Sequence, residues 1–82
     1  MATILFFNPH SPDKGPTGTW VRQPDGSITS DGGAQSVLDA TLSRLDGDTQ
    51  AAWDHYASWS NGYAASIEVP AGTTAVPADW LR

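Results

Sequence analysis

With 82 residues and no cysteine, the chain has room for one thin domain and none for disulfides or for Cys-based zinc and iron–sulfur centres. Four basic residues against nine acidic ones give a net charge of −5. Lys14, Arg22, Arg44 and Arg82 stand singly, which argues against nucleic-acid binding through phosphate contacts and against an anionic membrane surface.

Residues 3–7 read as a strand with apolar side chains on both faces, as a doubly covered position requires. Asn8-Pro9 ends it, and residues 8–18 form a Pro/Gly-rich loop, long for so small a domain and therefore a candidate for function. Residues 19–23 and 27–29 then make a hairpin around Pro24-Asp25-Gly26. Proline presets the first turn position, Asp accepts the second, and Gly26 supplies the left-handed residue of a three-residue loop with a bulge. That register sets Arg22 opposite Ile28 and Trp20 opposite Ser30. Gly26 is accordingly expected to tolerate alanine less well than the loop residue Gly15.

A helix over residues 34–46 follows from the spacing of Ala34, Val37, Leu38, Thr41, Leu42 and Leu45, with Gly47 placed for a left-handed C-cap. Asp48 or Thr49 caps a second helix over 49–60, whose Ala52, Trp53, Tyr56, Ala57 and Trp59 form an aromatic face ended by Asn61-Gly62. The short linker predicts a two-helix hairpin. In residues 63–69, Tyr63, Ala65, Ile67 and Val69 alternate with Ala64, Ser66 and Glu68, as in a half-buried strand. Pro70-Ala71-Gly72 breaks it and opens an extended C-terminal tail over 70–82. The expected fold is α+β: a single domain over 1–82 with a small, mainly antiparallel sheet (3–7, 19–23, 27–29, 63–69) and the two-helix hairpin on one face.

The N-terminal residues carry no basic leader and no small-residue cleavage site, so a signal peptide is not expected, and no run approaches the ~20 apolar residues of a membrane span. Catalytic and metal readings fare poorly. Asp46-Gly47-Asp48 begins like a calcium loop, but Ala51 and Ala57 stand where such a loop needs Gly and Glu. Capping between helices accounts for both aspartates. Asp54 and His55 are adjacent on a helix and diverge by about 100°. His10 and Asp13 have no identifiable nucleophile beside them. Asp31-Gly32-Gly33 before a helix lacks the basic residue a phosphate site would use. The expectation is a protein that is not an enzyme and takes no cofactor or metal.

Four tryptophans, Trp20, Trp53, Trp59 and Trp80, stand among only two Phe and two Tyr. Periodicity assigns Trp20 and Trp53 to the core and Trp59 to the edge of a helix stripe. Trp80 and Leu81 follow Pro70, Gly72 and Pro77, where no element clearly covers them. Trp80, Leu81, Trp59 and His10 are therefore the candidate partner-binding residues.

Three Arg to one Lys, abundant Ala, Gly, Asp and Thr, and isolated Trp in segments such as Gly18-Thr19-Trp20-Val21-Arg22 give the chain a composition that resembles small orphan proteins of phages and prophages of high-GC, actinobacterial-type bacteria. The resemblance implies a virion component (head decoration, connector or tail part) or an inhibitor of host defence, both working by binding. The expected function is a non-catalytic protein–protein interaction module in a larger assembly such as a phage particle, in the host cytoplasm or the virion. Capsid or tail proteins, or the chain itself, are its expected partners, with no direct nucleic-acid or membrane binding. The alternative is a small acidic inhibitor, anti-CRISPR-like, of a host nucleic-acid-binding or defence protein; a small hydrolase is the third.

Overall fold

Ile4, Leu5, Phe6 and Phe7 are all buried, although successive side chains on a strand point to opposite faces. Strand β1 (Ala2–Phe7) is therefore covered on both sides. The computed structural model describes residues 2–73, 75 and 76. After β1 come a 3₁₀ turn (Pro12–Lys14), β2 (Gly18–Arg22), β3 (Ile28–Gly32), α1 (Gln35–Arg44), α2 (Thr49–Tyr56), β4 (Ser58–Ser60) and β5 (Ala65–Pro70). The strands make one antiparallel sheet in the order β3-β2-β1-β5-β4. The fold is the expected α+β domain, with one strand more than the sequence suggested.

One face of the sheet carries Ile4, Phe6 and Trp20, and onto it pack Ala34, Leu38, Ala52, Trp53 and Tyr56 from the helical side. Phe6, Trp20 and Tyr56 form a triangle with ring centroids 5.0, 5.5 and 5.2 Å apart, all tilted or edge-on. Such geometry sets the positive edge of one ring against the negative face of another. The Trp20 Nε1–H donates to the Ala34 carbonyl at 3.1 Å, so the buried indole is polar-satisfied where α1 begins. On the opposite face Phe7, Ala65 and the half-buried Ile67 pack with Val76.

The hairpin has the expected register, Arg22 opposite Ile28 and Trp20 opposite Ser30. Its loop closes with Gly26 N–H to the Gln23 carbonyl and Gln23 N–H to the Ser27 carbonyl, and Gly26 lies at φ +89°. Asp25 Oδ1 accepts from both the hydroxyl and the N–H of Ser27. These bonds hold the Asp25 carboxyl below its usual range, the side-chain bond first and the backbone bond second. A depressed carboxylate contributes to stability above its ordinary value, and that contribution is lost as pH falls through its folded value.

The contrast expected between Gly26 and Gly15 does not hold. Gly15 sits at φ +84° and ψ −178°, a region open to glycine and costly for other residues. Neither glycine has a heavy atom near an added Cβ, so backbone conformation alone sets the cost. Gly26→Ala is expected to destabilise by about 1 kcal/mol and Gly15→Ala by at least as much, up to about 3 kcal/mol. Chemical denaturation of the two variants checks this, and a neutral Gly15→Ala would mean the loop is shaped differently.

Between the helices, Asp46 and Gly47 take φ +56° and +77°, and Gly47 N–H returns to the Leu42 carbonyl at 2.8 Å. Asp48 caps α2, its Oδ1 accepting from Ala51 N–H. The second helix is shorter than the expected 49–60 and stops at Tyr56. Beyond it Ser58–Ser60 pairs with β5, Trp59 opposite Ser66. The cause is local competition for the end of the helix. Ser66 Oγ donates to the Tyr56 carbonyl at 2.6 Å, and Glu68 N–H takes the Ala57 carbonyl at 2.7 Å. Strand β5 thus claims the carbonyls that another helical turn would have paired with the N–H groups of Ser60 and Asn61.

The strand expected over 63–69 begins two residues later, at Ala65, and runs to Pro70. Its alternation holds: Ala65 packs with Phe7, while Ser66 pairs with Phe6 toward the helices. Of the tail over 70–82, Thr73 N–H closes a turn onto the Pro70 carbonyl and Val76 is buried. Trp80 and Leu81 lie outside the described residues. No helix among the described residues is long and apolar enough to cross a membrane.

Candidate interaction surface

Tyr63 is 85% exposed, and among the described residues it is the exposed large hydrophobic side chain. The strand reading of 63–69 places it on the buried face with Ala65, Ile67 and Val69, and this is corrected by the turn that precedes β5. Asn61 Oδ1 accepts from the N–H of both Tyr63 and Ala64, at 2.9 and 2.8 Å. Asn61 N–H donates to the Ala64 carbonyl, and Gly62 takes φ +88°. Asn61 therefore builds a tight hairpin turn between β4 and β5, with Tyr63 displayed on it.

His10 joins this turn from the other side. Its Nε2 lies 2.8 Å from the Gly62 carbonyl; a carbonyl only accepts, so Nε2 carries the proton. The His10 N–H donates to Asn8 Oδ1 and Ser11 N–H to the Asn8 carbonyl. Further along, Thr17 donates through both its N–H and its hydroxyl to the Phe6 carbonyl. The loop over 8–18 is thus tied to the rest of the fold near its start by His10 and at its end by Thr17. His10 and Tyr63, 53 positions apart in sequence, come to adjoining loops at one end of the sheet, where Phe7 pairs with Ala65.

Trp59 is half-buried against the core. Its ring lies edge-on to Tyr56 at 5.0 Å and 6.5 Å from the exposed His55, which itself meets Tyr56 edge-on at 4.7 Å. Most of its energy is therefore intramolecular packing, with one side left open beside β4. Asp54 accepts from Gln50 Nε2, so Asp54 and His55 have separate partners, as their spacing implied.

Sequence reading missed a third cluster. Arg22 lies over the Trp53 ring at 4.7 Å, and its Nη2 donates to Gln50 Oε1 at 3.1 Å. The Trp53 indole N–H donates to Glu68 Oε1 at 2.5 Å. The hairpin register puts Arg22 on the helix-facing side of β2, which was the available signal. The contacts run in a chain from Gln50 through Arg22 and Trp53 to Glu68, so the cluster fastens α2 to the sheet.

A shallow cleft of about 240 Å³ is lined by Pro16, Thr17, Gly18, Thr19, Asp31 and Gly32. Its titratable group, Asp31, already accepts from Gly32 N–H. Among the described residues no group of three or more His, Asp or Glu is placed to hold a metal ion. No protein-family model, no curated protein and no solved structure matches the chain.

Proposed function

We propose that this chain is a non-catalytic protein–protein interaction module and a structural component of a larger assembly such as a phage particle, made in the host cytoplasm and carried into the virion. The observation that carries the reading is Tyr63, exposed on a turn that Asn61 holds with three hydrogen bonds. A tyrosine offers an apolar ring and a polar tip with few rotatable bonds, and a fixed backbone beneath it lowers the entropy lost on docking. His10, with Nε2 committed to Gly62, presents its Nδ1 as a neighbouring polar contact. The phage context rests on the compositional resemblance.

The test is quantitative capture from a lysate of the producing cells, comparing the wild-type chain with Tyr63→Ala and Asn61→Ala. Tyr63→Ala is expected to weaken capture by about thirtyfold, near 2 kcal/mol, with an unchanged melting curve. Asn61→Ala keeps the ring but frees the turn and should lose a smaller part. Equal capture by all three proteins would remove Tyr63 from the interface and the reading with it.

A further inference from the structure

We infer that two copies of this chain pair antiparallel through β3, joining their sheets about a two-fold axis at Thr29. The argument begins with which backbone groups of β3 are already used. Gln23 N–H donates to the Ser27 carbonyl and Gly33 N–H to the Thr17 carbonyl. Both bonds lie on the same uninterrupted register as Val21 with Thr29 and Thr19 with Asp31. Hydrogen-bonded and non-hydrogen-bonded pairs alternate in an antiparallel ladder. Thr29 and Asp31 therefore spend their backbone groups on β2, while Ile28 and Ser30 turn theirs away from it.

Strand β3 is an outer strand, so those groups face outward. Of the usual protections of an edge the strand has no Lys and no Pro, and its one charge, Asp31, stands near its end; its constant register leaves no bulge. The opposite edge, β4, is only three residues long, which itself limits pairing.

The sequence of β3 selects a second copy and one register. With Thr29 on the axis, Ile28 of each copy faces Ser30 of the other. Both residues then donate and accept, giving four reciprocal backbone bonds from groups that β2 does not use. Thr29 meets its own counterpart in a close non-hydrogen-bonded pair, where threonines hydrogen-bond well. Asp31 falls opposite Ser27 of the other copy, whose hydroxyl already donates to Asp25, so the two carboxylates are neighbours but are not directly opposed. An axis at Ser30 is poorer, because it requires Gly32, whose N–H is committed to Asp31 Oδ1 and whose φ is +64°. The surface differs from the Tyr63 turn and does not depend on it.

The experiment is a light-scattering concentration series up to about 1 mM on the full chain, with amide exchange at each end of the range. A dimer mass is expected at high concentration, with exchange at Ile28 and Ser30 slowing as the dimer forms. Thr29→Asp sets two carboxylates face to face and should weaken association by about tenfold or more. Thr29→Val and Tyr63→Ala should both still dimerise. Ser30→Pro removes an outward N–H without touching the β2 ladder, and is expected to be folded and monomeric. A wild-type chain that stays monomeric, a Thr29→Asp protein that dimerises equally well, or assemblies that grow past the dimer would each overturn the inference.

Discussion

Trp20→Ala is expected to lower the melting temperature by about 15–30 °C and to leave a large unfolded fraction at 37 °C. Trp20 is completely buried and touches every layer that defines the helix-side core. It lies 5.0 Å from Phe6 on β1 and 5.2 Å from Tyr56 on α2, and it donates to Ala34 at the entrance to α1. Truncating a buried Trp costs about 3–5 kcal/mol, because the surroundings close only part of the cavity. A domain of 82 residues has about 4–12 kcal/mol in total. One side chain therefore accounts for a large share of the margin. Trp20→Phe separates packing from the indole hydrogen bond. It removes the donor, yet the Ala34 carbonyl still accepts from Leu38 N–H, so no orphan is created. Its cost is expected to stay near 2 kcal/mol. Circular dichroism melts of the two variants decide the matter, and a Trp20→Ala shift below about 5 °C would mean the core does not hinge on this ring.

The residues legible in the sequence were those whose local chemistry and tertiary role agree. Pro24-Asp25-Gly26 admits few loop conformations, so the β2–β3 register followed from it. The alternation of Ala65, Ser66, Ile67 and Val69 likewise set the two faces of β5. Ser58-Trp59-Ser60 was not legible, because Trp59 continues the aromatic spacing of α2 and periodicity alone extends the helix. Only the pairing of that segment with β5 across the turn at 61–64 makes it a strand. Tyr63 escapes the alternation for a related reason: the period-2 pattern of β5 runs back across a turn, where it no longer sets the face. Asn-Gly at 61 and 62 is a hairpin signal as well as a helix stop; in the structure Asn61 stands opposite Ala64, with Gly62 and Tyr63 as the two central residues. Of the candidate contact residues, His10 reaches the Tyr63 turn through a contact that sequence spacing does not encode. Trp59 serves the core more than the surface.

Gly18→Ala is expected to destabilise by about 3 kcal/mol, more than Gly26→Ala, although Gly18 is not at a positive φ. The cause is space. A Cβ at Gly18 would lie 2.6 Å from the Ala34 backbone nitrogen, 2.9 Å from the Ala34 Cβ and 2.9 Å from the Asp31 carbonyl oxygen. Two of those atoms are backbone, so no side-chain rotation relieves the overlap. Gly18 lies opposite Gly32 at the end of the hairpin ladder, and Ala34 is buried where α1 starts. Making room requires moving either the end of β3 or the start of α1. The second movement would also pull the Ala34 carbonyl away from Trp20 Nε1, linking this site to the core. Ala34→Gly in the Gly18→Ala background removes only the Cβ–Cβ contact and introduces a flexible residue before α1. It is therefore expected to restore little of the loss. Urea denaturation of Gly18→Ala, Gly26→Ala and the double variant distinguishes crowding from backbone conformation. Crowding ranks Gly18→Ala well below Gly26→Ala in midpoint; equal midpoints would show that the start of α1 does not press on β2 there, and full recovery in the double variant would assign the overlap to the Ala34 Cβ alone rather than to backbone.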